Sequence, residues 1–400
     1  MILLDTQGQN DAADDFFAAT TVLCFGYANE SPEQSSFAHL LEHVLAETML
    51  LAGQPVRSLL FDNGLDVEAR TFPLHIELTL SGSLEDASSS VDIIQTVLRI
   101  WRNPSLIAPC PPSVVAVAAN TVREEVFERN ARNRMSTIPW SAAPSLFSSG
   151  CRPGHDGFNN VSEILHVSAP DKLNSLLMDL ALVDSRTAVL GPRWLTHWLE
   201  ASMRQDGPPS ACRGWPSLRT ESPVRVELDG AALPHDVVCS VSPLNLSSNP
   251  SEGVAQAMVV DRGLRSISNT QDVWQLGSFG PLSGPDYFLM FHTFNEKNSS
   301  ASGRHELLHG VDVEALSKAS IDEFDSVLSS PPRRTKVAAL LDTFGACAPG
   351  VRRALGMQGE AVPREAIRAL LSGIAERGDA GESIVRWKKD LVESDPSCLT

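Results

Sequence analysis

Residues 37–43 read Phe37-Ala38-His39-Leu40-Leu41-Glu42-His43, or FAHLLEH. If this stretch is a helix, His39 and His43 fall one turn apart on the same face, and Glu42 borders that face. Two neutral imidazoles so placed can hold one Zn²⁺ ion, and a carboxylate beside them can take a proton from a water that the ion polarises. A second stretch, HELLH from His305 to His309, offers the same histidine spacing. It follows the polar run NEKNSSASGR and meets Gly310 at once, and Asp312 and Glu314 stand too close to serve as a third ligand from a separate element. HELLH therefore reads as a surface helix, and FAHLLEH as the site.

Around FAHLLEH the chain alternates strands and helices. FAATTVLCFGYANE (17–30) reads as a strand ending near Gly26. The FAHLLEH helix is expected to run on through VLAETMLLAG to about Gly53, with a second helix over 55–62 that stops at Asn63-Gly64. LDVEARTF and LHIELTLSG read as two antiparallel strands, and SLEDASSSVDIIQTVLRIW as one amphipathic helix burying Val91, Ile94, Val97, Leu98 and Trp101. After a proline-rich break at 104–112, SVVAVAANTVREEVFERNARNR reads as a long helix, DKLNSLLMDLAL as another, and RTAVLGP as a strand.

RQDGPPSACRGWPSLRTESP (204–223) reads as a linker. Beyond it the order of elements loosely repeats: strands in VRVELDG and DVVCSVSPL, a helix in SEGVAQAMVVDRGL, a hairpin in QLGSFGPLSGPDYFLMFHTF and further helices. SIVRWKKDLV reads as a charged C-terminal helix. Two related α+β domains are expected, 1–205 and 220–400, each an antiparallel sheet with helices packed on one face.

Composition narrows the function. With 400 residues, 42% of them hydrophobic, and a mean hydropathy of −0.06, the chain fits globular domains with substantial cores. A net charge of −17 disfavours nucleic acid as a partner. No apolar run approaches a membrane span, and MILLDTQGQNDAADD lacks the features of a signal peptide, so a cytoplasmic location is expected. The seven cysteines never form CxxC, which argues against disulfides and against a thiolate zinc site. His75 reads as a strand residue in the wall of the site and His155 as a solvated loop residue; no G-x-S-x-G, P-loop or dinucleotide fingerprint is present.

A zinc hydrolase needs a third protein ligand. The best source is NTVREEVFERN, where Glu124 and Glu125 are adjacent and only one can face the histidines. HLLEH followed by a helical NTVREEV resembles the M16 (pitrilysin-like, inverzincin) metallopeptidases, especially the small two-domain branch of processing peptidases. The resemblance extends to GLDVEART, similar to the family's substrate-pairing strand, and to SSGCRPGHDGFNN through RTAVLGP and GSFGPLSGPDYFLMFHTF. It is strong over 22–130 and loose after 220.

The resemblance implies a zinc-dependent metalloendopeptidase acting on short or unfolded peptides, leader or targeting segments among them. His39, His43 and Glu125 would hold Zn²⁺, Glu42 would be the general base, and the peptide would pair with the strand at Glu68, Ala69 and Thr71. Several positions depart from the family pattern. Ser35-Ser36 replace a glycine, Glu68 replaces the strand asparagine, and Ala118 replaces a second acid two turns before the distal ligand. SNTQDVWQLGSFG carries neither the arginine nor the tyrosine that grip substrate in the second domain. A partner is therefore implied, a second M16-like subunit in a heterodimer or a second copy of this chain, that supplies them. The alternative is a non-catalytic M16-like subunit that binds peptide or scaffolds a catalytic partner.

Overall fold

The structure, a computed structural model, describes residues 2–5, 15–72, 75–132, 161–181, 183–204, 225–229, 237–245, 250–267, 273–281, 287–295, 312–343, 346–355 and 383–388. The linker 205–223, HELLH and His155 lie outside the described residues.

Two five-stranded sheets organise the chain. The first contains β1 (Ile2–Asp5), β2 (Phe16–Leu23), β5 (Leu65–Thr71), β6 (Ile76–Ser83) and β7 (Ser185–Gly191), in the order β1-β7-β2-β6-β5. β1 runs parallel to β7; every other neighbouring pair is antiparallel. A two-stranded ribbon of β3 (Leu50–Leu51) and β4 (Gln54–Pro55) stands apart from it. The second sheet holds β8 (Arg225–Asp229), β9 (Val237–Asn245), β10 (Val273–Pro281), β11 (Tyr287–Asn295) and β12 (Ser383–Lys388), in the order β10-β11-β9-β12-β8. Here too one pair is parallel, β12 with β8, and the rest are antiparallel. Reading each sheet from its parallel edge gives the same sequence of strand roles, so the loose repeat in the sequence is a full repeat in topology.

That repeat corrects the reading of SIVRWKKDLV. Ser383–Lys388 is strand β12, in the place that β7 holds in the first sheet. The FAHLLEH helix is also shorter than expected. α1 (Phe37–His43) passes into a π turn, Val44–Thr48, and the chain then makes the β3–β4 ribbon. Ala52 and Gly53 sit at φ 50° and 81°, the left-handed pair that a tight two-residue hairpin requires and a right-handed helix excludes. The expected single helix at 83–101 is two, α3 (Leu84–Ser89) and α4 (Val91–Arg102), broken at Ser90 (φ −114°, ψ 18°). Serine competes with the helix for backbone hydrogen bonds, and here three occur in a row at 88–90.

α2 (Val56–Asp62) ends as expected at Asn63 and Gly64, the latter at φ 69°. α5 (Pro112–Arg132) opens on proline, whose missing N–H costs nothing in a first turn. It is followed by α6 (Ala169–Leu180), α7 (Arg193–Arg204), α8 (Pro250–Ile267), α9 (Val313–Ser329), α10 (Pro331–Thr343) and α11 (Ala348–Ala354).

The main core lies between one face of the first sheet and the helices of the first half. Phe17, Ala19 and Leu23 of β2 share this core with Phe37 and Leu41 of α1, Leu98 and Trp101 of α4 and Val122 of α5. The other face of β2 is buried as well. Val22 packs with Ala188, Ala338 and Ala339, and the Thr20 hydroxyl lies 2.7 Å from that of Thr335. Helix α10, from the second half of the chain, thus covers the back of the first sheet. Among the described residues no helix is long and apolar enough to cross a membrane.

Candidate metal centre

Every residue of α1 is buried. The helix begins without a local side-chain cap at Ser36. Glu30 reaches across instead, accepting from the Ser36 N–H at 2.9 Å and the Ala38 N–H at 2.6 Å, which places a negative charge on the helix N-terminus. At the other end, the Trp101 indole donates to the Leu45 carbonyl at 3.0 Å, fixing the π turn.

Between these anchors His39 and His43 are 2% and 5% exposed, and their Nε2 atoms lie 3.2 Å apart. Glu125 of α5 brings Oε2 to 3.3 Å from His39 Nε2 and 3.6 Å from His43 Nε2. Its neighbour Glu124 points into solvent on the side of Arg123. Glu42 completes the cluster, with a carboxylate oxygen and the two imidazole nitrogens all within 4.8 Å of one another. Zinc bonds of about 2.0–2.1 Å in a tetrahedron set donor atoms about 3.3 Å apart. The three spacings among His39, His43 and Glu125 fit that edge length, and the donor set of two imidazoles and one carboxylate fits zinc.

The electrostatics are tightly coupled. Burial alone would lower the pKa of His43. Hydrogen bonds to Glu125 and Glu47, with the nearby charge of Glu42, outweigh it and push the value up to about 10. The same contacts, from His39 first and then His43, hold Glu125 well below the usual carboxylate range.

The strand residues singled out by sequence divide into separate roles. Among the described residues β5 is an edge strand of the first sheet. Thr71, at its end, donates its hydroxyl to Glu42 at 2.5 Å. Ala69 is half-buried between them in sequence, and Glu68 is exposed but engaged by Lys336 of α10 at 2.5 Å. That ion pair holds the Glu68 carboxyl below its ordinary range. Ala118 is fully buried and offers no carboxylate. His75 lies against Phe72 and 3.1 Å from Glu77.

Sequence reading missed Glu30, Lys336 and Glu47. Only Glu47 had a local signal, since it follows His43 by one helical turn.

The chain as a whole finds a match among known structures. The fold is that of the M16 peptidases. A protease from Helicobacter pylori is similar over 96% of this chain and 96% of its own, with a TM-score of 0.63 and 12% identity. The M16 inactive domain from Pseudomonas fluorescens is similar over 96% and 94%, with a TM-score of 0.62 and 11% identity. The periplasmic protease PqqL from Escherichia coli is similar over 94% of this chain, with a TM-score of 0.62 and 12% identity; the match spans only 45% of PqqL. No family model matches the sequence, and no curated protein matches it. At these identities the M16 likeness is one of fold, and the chemistry rests on the residues gathered at α1 and α5.

Proposed function

We propose that this chain is a zinc-dependent metalloendopeptidase in which His39, His43 and Glu125 hold Zn²⁺ and Glu42 is the general base. The observation that carries the reading is the convergence of three donor atoms from two helices at 3.2, 3.3 and 3.6 Å, with a buried carboxylate beside them. Bound zinc would polarise the scissile carbonyl and lower the pKa of water towards ~7.

The chain's own groups supply the rest. Glu42 is placed to take a proton from the attacking water and to return it to the leaving amine. Thr71 fixes one carboxylate oxygen of Glu42. Among the described residues β5 has an unpaired backbone edge that an extended peptide can join as a further strand, and its last residue touches the base. Substrates that can lie extended are short or unfolded peptides, leader or targeting segments among them. The first half thus supplies the ion site, base and edge strand, while SNTQDVWQLGSFG brings neither arginine nor tyrosine. A second M16-like subunit, or a second copy of this chain, would complete the grip on substrate.

Zinc content and peptide cleavage of wild type and Glu42→Gln test the reading. Wild type is expected to carry about one zinc and to cleave unfolded peptides, while Glu42→Gln keeps the zinc and is inert. Absence of zinc in the wild type overturns the proposal. Zinc with peptide binding but no cleavage, with or without an M16-like partner, would instead identify a non-catalytic subunit.

A further inference from the structure

The proposed ligand His43 uses Nε2 towards the cluster, which leaves Nδ1 on its far side. That atom lies 3.3 Å from Oε2 of Glu47. Glu47 belongs to the π turn that continues α1. It is mostly buried, and its other oxygen, Oε1, is gripped by the Arg57 guanidinium of α2. The contact therefore joins four groups in a line: Arg57, Glu47, His43 and the point where His39, His43 and Glu125 converge.

An imidazole that ligates a metal through one nitrogen usually donates its other N–H to a carboxylate, which fixes ring orientation and tautomer and makes the ligand more basic. A zinc ligand must also present a lone pair, so the ring proton has to reside on the nitrogen away from the ion. Glu47 is situated to keep it there. Ala118, two turns before Glu125 on α5, is a buried methyl group and supplies no carboxylate at that position.

We propose that Glu47 is the positioning residue of the metal centre: it holds the His43 Nδ1–H and keeps the Nε2 lone pair aimed at the ion, with Arg57 bracing it. The proposal rests on the zinc-site reading above and adds to it the group that sets the affinity. The break from α-helix to π turn after His43, with Trp101 on the Leu45 carbonyl, fixes the backbone that carries Glu47. π turns inside helices occur often at functional sites.

The test is zinc affinity, measured by competition with a chromophoric chelator on full-length wild type, Glu47→Gln, Glu47→Ala, Glu47→Asp and Arg57→Gln. Melting of each metal-free protein shows that it is folded. Loss of a carboxylate behind a ligating histidine costs about 10- to 100-fold in metal affinity. Glu47→Ala is expected in that range, with one zinc still bound at saturation. Glu47→Gln, which keeps an acceptor oxygen but not the charge, should fall between it and wild type. Glu47→Asp should recover part of the loss, and Arg57→Gln should lose only a few-fold. Wild-type affinity in folded Glu47→Ala and Glu47→Gln overturns this inference alone. A wild type that takes up no zinc overturns it together with the reading on which it rests.

Discussion

The Thr71 hydroxyl donates to the Glu42 carboxylate, joining the end of the edge strand to the middle of the histidine helix. The bond links where a peptide would lie with the group that would move its proton. A hydrogen bond to a charged group contributes about 1.5–3 kcal/mol. Thr71→Val should therefore lower kcat by about 10- to 100-fold, with zinc content unchanged, and Thr71→Ser should restore most of the rate. Peptide cleavage at saturating substrate checks this. Equal kcat in Thr71→Val and wild type would show that the hydroxyl does not serve the base.

The pH dependence of the metal-free protein follows from two coupled groups. His43 rises from its ordinary 6.5 to about 10 in the folded chain, so its contribution is complete below pH 6.5 and is lost as pH rises through about 10. Glu125 moves down from 4.5, so its contribution is complete above pH 4.5 and is lost as pH falls towards its folded value. Metal-free protein should melt highest between pH 4.5 and 6.5 and progressively lower from pH 7 to 10. Zinc needs a neutral imidazole and must displace the His43 proton. Affinity should rise over the same alkaline range, and calorimetry in buffers of different ionisation enthalpy should detect proton release. A flat melting curve from pH 6 to 10 would refute the coupling.

Most of the first half was legible because its signals are local. FAHLLEH set the histidines by helical spacing, Gly64 marked the end of α2, and alternation in 65–83 gave β5 and β6. Glu124 and Glu125 could not be separated by spacing alone; in the structure only Glu125 turns towards the imidazoles, while Glu124 faces solvent. The departures at Ala52-Gly53 and Ser90 have local causes; others arose where a long-range partner decides the conformation. Ser383–Lys388 has the charges of a surface helix, but β8 and β9 flank it on both sides and pair its backbone. Ile2–Asp5 is too short to announce itself and is a strand because β7 lies beside it. Lys336 and Glu68 are far apart in sequence, and no local pattern connects them.

Helix α10 offers a test of how the two halves support the site. Ala339 is fully buried against Val22 and Ala188 on the back of the first sheet. A larger side chain there must push helix and sheet apart, at a cost of about 1–3 kcal/mol. Ala339→Leu should lower the melting temperature of the protein. It should leave zinc stoichiometry intact, because the histidine helix packs on the opposite face. Loss of stoichiometric zinc in a folded Ala339→Leu protein would show that the back of the sheet controls the metal helix.

The Glu68–Lys336 pair makes a prediction about substrate choice. Glu68 stands on the edge strand proposed to pair with peptide, and its charge is engaged by Lys336 rather than left for a basic substrate residue. Lys336→Met would release that charge without altering the strand. Exposed ion pairs contribute about 0.2–1 kcal/mol, so KM for a peptide carrying arginine along β5 should fall about two- to fivefold. A matched peptide with norleucine at the same position should show no change, and raising the salt concentration should erase the difference. If Lys336→Met leaves KM for both peptides unchanged, Glu68 does not contact the substrate, and the peptide does not follow β5 past this residue.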